Sequence, residues 1–535
     1  MATGTKPAWS PEPVTPAPRR AAVLLKFLKF LPFLLVGAGG SVAGAWLVME
    51  KGVNLGLVSL GMVLMFPAMW GSWVGLKEVC RVLGAFRSQI KWWHWVWFLS
   101  LSSSFVFRYR SAAEIAQTPF DSLAALRVGP EVIVGGILLL RLVFRKPDWG
   151  PSMTHGVVGT MTIFGLVCLA SSLWSVKFSW TLYKSLEYLL DLSIIAVVLK
   201  VVRTSEQYKT FIDWTWIIAG ATLAWVWIGL PIWPAETWAT ESRLAGAYPI
   251  VSSNELGDTG AVLILVAAIR FWPLVGKCTN KAFYILTALL GAVTMIAAQT
   301  RSAFAGLVIA AVVVLWFARR FKVVIVAALL TGPALIFAVA GDTLAKRIPY
   351  PYRDSLPISL LISVGDKIMS YLQRDQSQAE MMSLSSRLDW WSVGYHAFMR
   401  RPFTGLGAYA GSRFAVLTTV GAPQLHSDWL EVIVGTSIWG LAPFVIALVW
   451  IWAILIRYYR GYWLSAEDRQ LTLEMIGVMA VITIHSFVNV EMTWHHPTLF
   501  LMILGWAEFM RRRLKARPPG PSQLYASPLQ IEQYS

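Results

Sequence analysis

The chain has 535 residues, 56% of them hydrophobic and only 14% charged, with a net charge of +17. A soluble globular protein of this size needs far more charged surface, so that class is excluded. The excess Lys and Arg reads as charge that fixes topology and meets anionic headgroups, not as a nucleic-acid footprint, and Cys80, Cys168 and Cys278, with no CxxC pair, offer neither a metal site nor a disulfide framework.

In chain order, residues 1–29 are expected to be a disordered cytoplasmic tail, the first 20 of them rich in Pro and polar residues. The first apolar block follows and is expected to stay uncleaved, because its lead-in is long for a signal peptide. About fourteen apolar blocks then succeed one another, near 30–48, 54–76, 92–107, 128–144, 156–173, 186–202, 211–231, 257–275, 282–299, 302–318, 323–340, 428–456, 471–490 and 497–511. Most are long enough to cross a hydrocarbon core of ~30 Å as helices, and too long and uniform for barrel strands. The fold class expected is an all-α polytopic integral membrane protein with about 14 transmembrane helices. The 28 tryptophans suit it, because Trp concentrates at membrane interfaces.

Loop charge sets the orientation. The exits of the even-numbered blocks are basic: Lys77 and Arg81, Arg145 and Lys146, Lys200 and Arg203, Lys277 and Lys281, Arg319 and Arg320, Arg457 and Arg460, and "RRRLKAR" at 511–517. The positive-inside rule then places both termini in the cytoplasm. Spans 1–11 occupy 30–340, a long outer loop 341–426, spans 12–14 residues 427–511, and a cytoplasmic tail 512–535. Within the loop, Leu388, Trp391, Tyr395 and Phe398 fall at helical spacing, and Ser386 with Asp389 fits a capping box. The spacing predicts an amphipathic helix at the membrane surface, ended by "RRPFTGLG".

No GxxxxGK[ST], HExxH or Asp-x-Asp pair occurs, so neither ATP nor a bound metal nor any other cofactor is expected. Polar residues instead gather on the outer face: Arg243 and Asn254 in 241–257, Arg301 at the start of a block, Arg387 at the loop helix, His426, Asp428 and Glu431 at the twelfth block, and His485, Glu491, His495 and His496 at the end of the thirteenth. Alone, an arginine at a membrane edge usually snorkels to headgroups, and a His at a helix start usually caps it. Together, guanidinium groups suit a phosphate-bearing lipid-anchored ligand, and an imidazole suits proton abstraction from a hydroxyl near neutral pH.

Four stretches in order, "RLAGAYPIVSSNELG" (243–257), "TRSAFAGL" (300–307), "SRLDWWSVGYHAFMRRPFTGLGAY" (386–409) and "LHSDWLEVIVGTSIWGLAPF" (425–444), resemble the O-antigen ligase and polysaccharide polymerase superfamily of bacterial envelope glycosyltransferases. The resemblance extends over roughly 155–510. It implies an inner-membrane enzyme whose long loop and active site face the periplasm. It also implies inverting, metal-independent glycosyl transfer from an undecaprenyl-diphosphate-linked glycan to a sugar hydroxyl, on lipid A–core in ligases or on another lipid-linked unit in polymerases. The family's His maps onto His426 as general base, and its diphosphate-binding arginines onto Arg243, Arg301 and, less directly, Arg387. The family's residue after the His is Asn, whereas this chain has Ser427, so Asp428, Glu431 or Asn254 is left to orient the imidazole. Two other functions fit the same pattern: a transporter or flippase of lipid-linked oligosaccharide, for which Asp191, Arg141 and Arg270 within the blocks are the signal, and a protein O-oligosaccharyltransferase.

Overall fold

The computed structural model describes residues 86–104, 122–144, 150–271 apart from 231, 240–242 and 248–250, then 281–320, 387–418, 424–461, 464–493 and 497–516, with 80, 81, 84 and 322. The chain divides into two units, Met1–Ser88 and Gln89–Ser535, and everything below concerns the second. The first two expected spans, the eleventh, residues 341–386 of the loop, Ser386 of the expected capping box, and His495 and His496 lie outside the described residues.

The architecture is helical. The long helices are α1 (Trp92–Ser104), α2 (Ser122–Phe144), α3 (Gly156–Ala170), α4 (Phe178–Val201), α5 (Ser205–Gly229), α6 (Ser253–Phe271), α7 (Lys281–Ala298), α8 (Arg301–Phe317), α9 (Arg387–Arg400), α10 (Asp428–Tyr459), α11 (Ala466–Val488) and α12 (Thr498–Ala516). Every expected block that falls on described residues is helical. Among the described residues, four segments are long and apolar enough to cross a membrane: Gly156–Trp174, in which a 3-10 turn extends α3, then α5, α10 and α11. Helix is the form such sequences take in lipid, because it satisfies every backbone N–H and C=O within the segment.

Helix ends follow local chemistry. Thr204 and Gln207 form a reciprocal capping box at the start of α5, and Ser465 accepts from the Asp468 N–H (3.1 Å) at the start of α11. Two helices run beyond the apolar blocks. Helix α4 begins at Phe178, eight residues before the expected 186, because its one interior cation, Lys184, is buried against Glu187. Helix α12 runs on through Arg513, because the fully buried Glu508 binds Arg511 (2.6 Å) and Arg512 (2.9 Å) and receives the Val157 N–H (3.1 Å).

Helix α6 packs along α7, α8 and α11, while α10 packs on α3 and α11, and α12 lies against α4 and α3. Close approach needs small residues: Gly260 and Gly291 face each other across α6 and α7, where a Cβ on either would sit 2.6–2.7 Å from the other's carbonyl. At the far end of α6, Arg270 binds Glu474 (2.7 Å) and Asp213 (2.6 Å), and Glu474 also accepts from the Trp216 indole (2.6 Å). Removing one member of so enclosed a group strands the others and costs about 3–5 kcal/mol. Asp191 accepts from the Ser100 hydroxyl (3.1 Å), and Arg141 lies over the Trp92 ring at 3.7 Å.

Helix α10 is broken in its middle. Ser437 has φ +60°, and its hydroxyl turns to the Pro402 carbonyl. There the Val434 and Gly435 carbonyls accept the Leu406 and Gly407 N–H groups, both at 2.9 Å. The "GLGAYAG" stretch is thus a backbone dock. Gly407, at φ +96°, has no room for a side chain beside Ser175, and a Cβ on Gly435 would meet the Ala408 backbone at 2.9 Å. The other side of the dock is held by Ser171, which accepts the Ala408 N–H (3.0 Å), and by Thr181, which donates to the Ala408 carbonyl (2.8 Å).

Candidate functional site

The segment connecting the dock to α10 passes through His426, which sits in the left-handed region at φ +52°. A non-glycine residue there is uncommon and persists only where its surroundings hold it. Three contacts do so. Glu431, one turn into α10, accepts the Leu425 N–H (2.6 Å) and the Ser412 hydroxyl (2.7 Å). The Trp391 indole donates to the Leu425 carbonyl (2.9 Å). Ser427, at the α10 N-cap, turns its hydroxyl toward the Ser486 carbonyl (3.5 Å) rather than to its own helix.

Asp428 works on the opposite flank. Fully buried, it accepts the N–H groups of Glu491 (2.8 Å), Met492 (3.1 Å) and Thr493 (3.1 Å) and the Thr493 hydroxyl (2.6 Å). That fixes the turn after α11 beside the start of α10. The sequence left Asp428 and Glu431 as candidates to orient the imidazole. In the structure both carboxylates bind the backbone and hydroxyls that flank His426.

The ring has other neighbours. It stacks on Trp390 with centroids 5.6 Å apart, and Gln424 approaches Nδ1 at 3.4 Å. Asn489, at the end of α11, and the Arg387 guanidinium both lie within electrostatic range of the imidazole. Burial, helped by the Arg387 charge and opposed by Asn489, draws the His426 pKa down to about 4. The imidazole is therefore neutral near pH 7, with a lone pair available. Asn489 is itself held by Glu491, which accepts its amide N–H (2.7 Å).

Arg243 stands on the second strand of a short antiparallel ribbon, Trp238–Ala239 with Arg243–Leu244. Its Nε donates to the Ala298 carbonyl (3.0 Å) and its terminal nitrogen to the Asn254 side chain (2.9 Å). Asn254 thus holds Arg243. Arg301 opens α8 after Thr300, whose hydroxyl ties α8 to the Ser253 carbonyl of α6 (3.0 Å). Arg387 opens α9, within electrostatic range of Arg243, Arg301 and Asp258. Burial lowers the Arg387 pKa; Asp258 opposes that, and the two other arginines add to it. Arg243, Arg301, Arg387 and His426 come from four separate segments and meet at one end of the bundle.

Helix α9 packs on the segment before His426 through one side only. Trp390, Ala397 and Phe398 pack on Val416, Leu417, Leu425 and Val434, whereas Leu388 and Tyr395 are exposed. A Cβ on Gly394 would touch Leu425 at 3.0 Å, so Gly394 lets the helix settle onto the segment before His426. Asn489, Trp390 and Asp258 are the site residues that sequence reasoning did not single out. Asn489 lies in "HSFVNVEMTWHHP", where the charged neighbours were the visible signal.

Residues 286–445 match the family model described as O-antigen ligase. The matched span contains Arg301, Arg387, His426, Asp428 and Glu431; Arg243, Asn254 and Asn489 lie beyond it. No curated protein matches the chain.

Proposed function

With residues 286–445 matching the O-antigen ligase family model, we propose that the chain transfers a glycan from an undecaprenyl-diphosphate carrier to an acceptor hydroxyl, on the periplasmic face of the bacterial inner membrane. The observation that supports this most is the meeting of a neutral, confined His426 with three arginines at one end of a helical bundle.

Arg243 and Arg301 hold the diphosphate, since guanidinium binds phosphate oxygens bidentately and stays charged. Arg387, on the loop helix, closes over it. The acceptor hydroxyl gives its proton to His426 while its oxygen bonds to the anomeric carbon from the face opposite the diphosphate. The bond from that carbon to the bridging oxygen breaks, and the electron pair leaves with the carrier diphosphate, so configuration inverts. The arginines stabilise the charge that develops on the bridging oxygen. A diphosphate is already a good leaving group, so this step calls for no general acid and no metal. Arrival of the anionic donor also offsets the Arg387 charge and strengthens His426 as a base when the substrate is in place.

Whether the acceptor is lipid A–core or another lipid-linked repeat, the chemistry is the same; a protein hydroxyl would also suit it. A transporter of lipid-linked oligosaccharide is the second reading, drawn from ionisable groups within the bundle. Against it, Arg270 is matched by Asp213 and Glu474, Asp191 binds Ser100, and Arg141 lies over Trp92. Purified protein reconstituted with lipid-linked donor and a glycan acceptor decides between them. Product without any ion gradient supports the transferase, and movement of donor across the bilayer with no product supports the transporter.

A further inference from the structure

Below the arginines, three donors from separate parts of the chain converge: Asp258 of α6, His485 of α11 and Glu491 of the following turn, with one ligating atom from each within 4.8 Å of the others. None takes part in the transfer step. His485 is 1% exposed and Asp258 6%. A Cβ on Gly306 would meet His485 Nε2 at 2.6 Å, so the glycine in α8 makes the slot in which the ring lies.

The tautomer of His485 follows from its contacts. Its Nε2 is 2.8 Å from the Ser302 carbonyl, which only accepts, so Nε2 carries the hydrogen. In the neutral ring Nδ1 then presents a lone pair, and it faces Asp258 Oδ1 at 3.2 Å. Neither Asp258 oxygen receives a hydrogen bond of normal geometry among the described residues. A buried carboxylate facing an imidazole lone pair, with a second carboxylate beside it, requires a positive species between them. An imidazole that gives one N–H to a backbone carbonyl and turns its other nitrogen inward is the usual arrangement of a metal-ligating His. Two ligands on one ion at bond lengths of about 2.1 Å stand roughly 3–3.5 Å apart, which the His485–Asp258 separation matches.

We propose that Asp258, His485 and Glu491 bind a divalent cation of the Mn2+ or Zn2+ class. One imidazole nitrogen with two carboxylates suits those ions better than Ca2+ or Mg2+, which prefer all-oxygen shells. The ion fastens α6 to the end of α11 and to the turn that carries Asn489. It is a fastening beside the catalytic groups and not a participant in the bond exchange. The sequence hid it because its ligands are separated by 227 and 6 residues, with no motif spacing.

The test uses the full chain in detergent, stripped with EDTA and titrated with Mn2+, with free ion read by electron paramagnetic resonance and Zn2+ uptake by elemental analysis. About one ion per chain is expected, with nitrogen hyperfine coupling from a single imidazole. The Asp258→Asn, Glu491→Gln double variant should lose uptake at least tenfold, and His485→Gln should lose the nitrogen coupling. His426→Ala should keep both, which separates this site from the transfer reading. If the double variant fails to fold, the wild-type chain still decides. Failure to take up either ion, or uptake without nitrogen coupling, overturns the proposal and leaves a shared proton as the occupant.

Discussion

Replacing Asp428 by Asn tests how the turn after α11 is held. In the native chain one carboxylate oxygen takes the Thr493 N–H (3.1 Å) and hydroxyl (2.6 Å), and the other takes the Glu491 (2.8 Å) and Met492 (3.1 Å) N–H groups. An amide can keep the first pair, but its NH2 then faces two N–H donors. Two hydrogen bonds to a charged acceptor are lost, at about 1.5–3 kcal/mol each. The turn can relax toward water, so the expected net loss is on the order of 3 kcal/mol. Thermal or denaturant unfolding in detergent measures it. Thr493→Ala, which removes one bond, should lose no more than about half as much. Because Asn489 sits on the same turn and lies within electrostatic range of His426, Asp428→Asn should also lower glycan transfer at least tenfold in membranes where the variant is present at wild-type level. Unchanged unfolding together with unchanged transfer would refute the reasoning.

Other substitutions probe the same site. Arg387→Gln removes a positive charge that disfavours imidazolium. Since His426 accepts a proton only when neutral, the acid limb of kcat/KM should lie near pH 4 in the wild type and move upward toward 6.5 in the variant; a limb that stays in place contradicts the assigned cause. Glu431→Gln keeps an acceptor for the Leu425 N–H and can donate to Ser412, so transfer should fall less than tenfold, whereas Glu431→Ala should abolish it. Equal effects of the two would show that Glu431 acts by charge. Gly407→Ala, at φ +96° and against Ser175, should prevent accumulation of folded protein, and normal yield by size-exclusion chromatography would count against the backbone dock.

Much of the fold was legible because apolar runs of membrane length have one stable outcome. The helix ends were less so. Helix α4 starts early because Lys184 finds Glu187, and α12 runs late because Glu508 collects Arg511 and Arg512; such partners come from pairings that hydropathy does not record. The side of α9 that meets the protein was hard to read for a related reason. Leu388 and Tyr395 obey helical spacing, but Gly394 decides which side approaches Leu425, and a small residue carries no hydropathic signal. In the site, the arginines and His426 stood out as costly groups at membrane edges. Their surroundings stood out less: Asn489 is 63 residues beyond His426, and the partners of Asp428 are backbone N–H groups of the turn after α11, which every sequence has.

The central claim is that His426 accepts the proton of the acceptor hydroxyl. It is tested most directly by reconstituting wild-type protein, His426→Ala and His426→Gln with lipid-linked donor and a glycan acceptor, and measuring the transferred glycan. General base catalysis contributes about 10²–10⁴-fold, so both variants should lose at least a hundredfold in rate while still binding the lipid-linked donor. Transfer by either variant at a rate near that of the wild type would contradict the account.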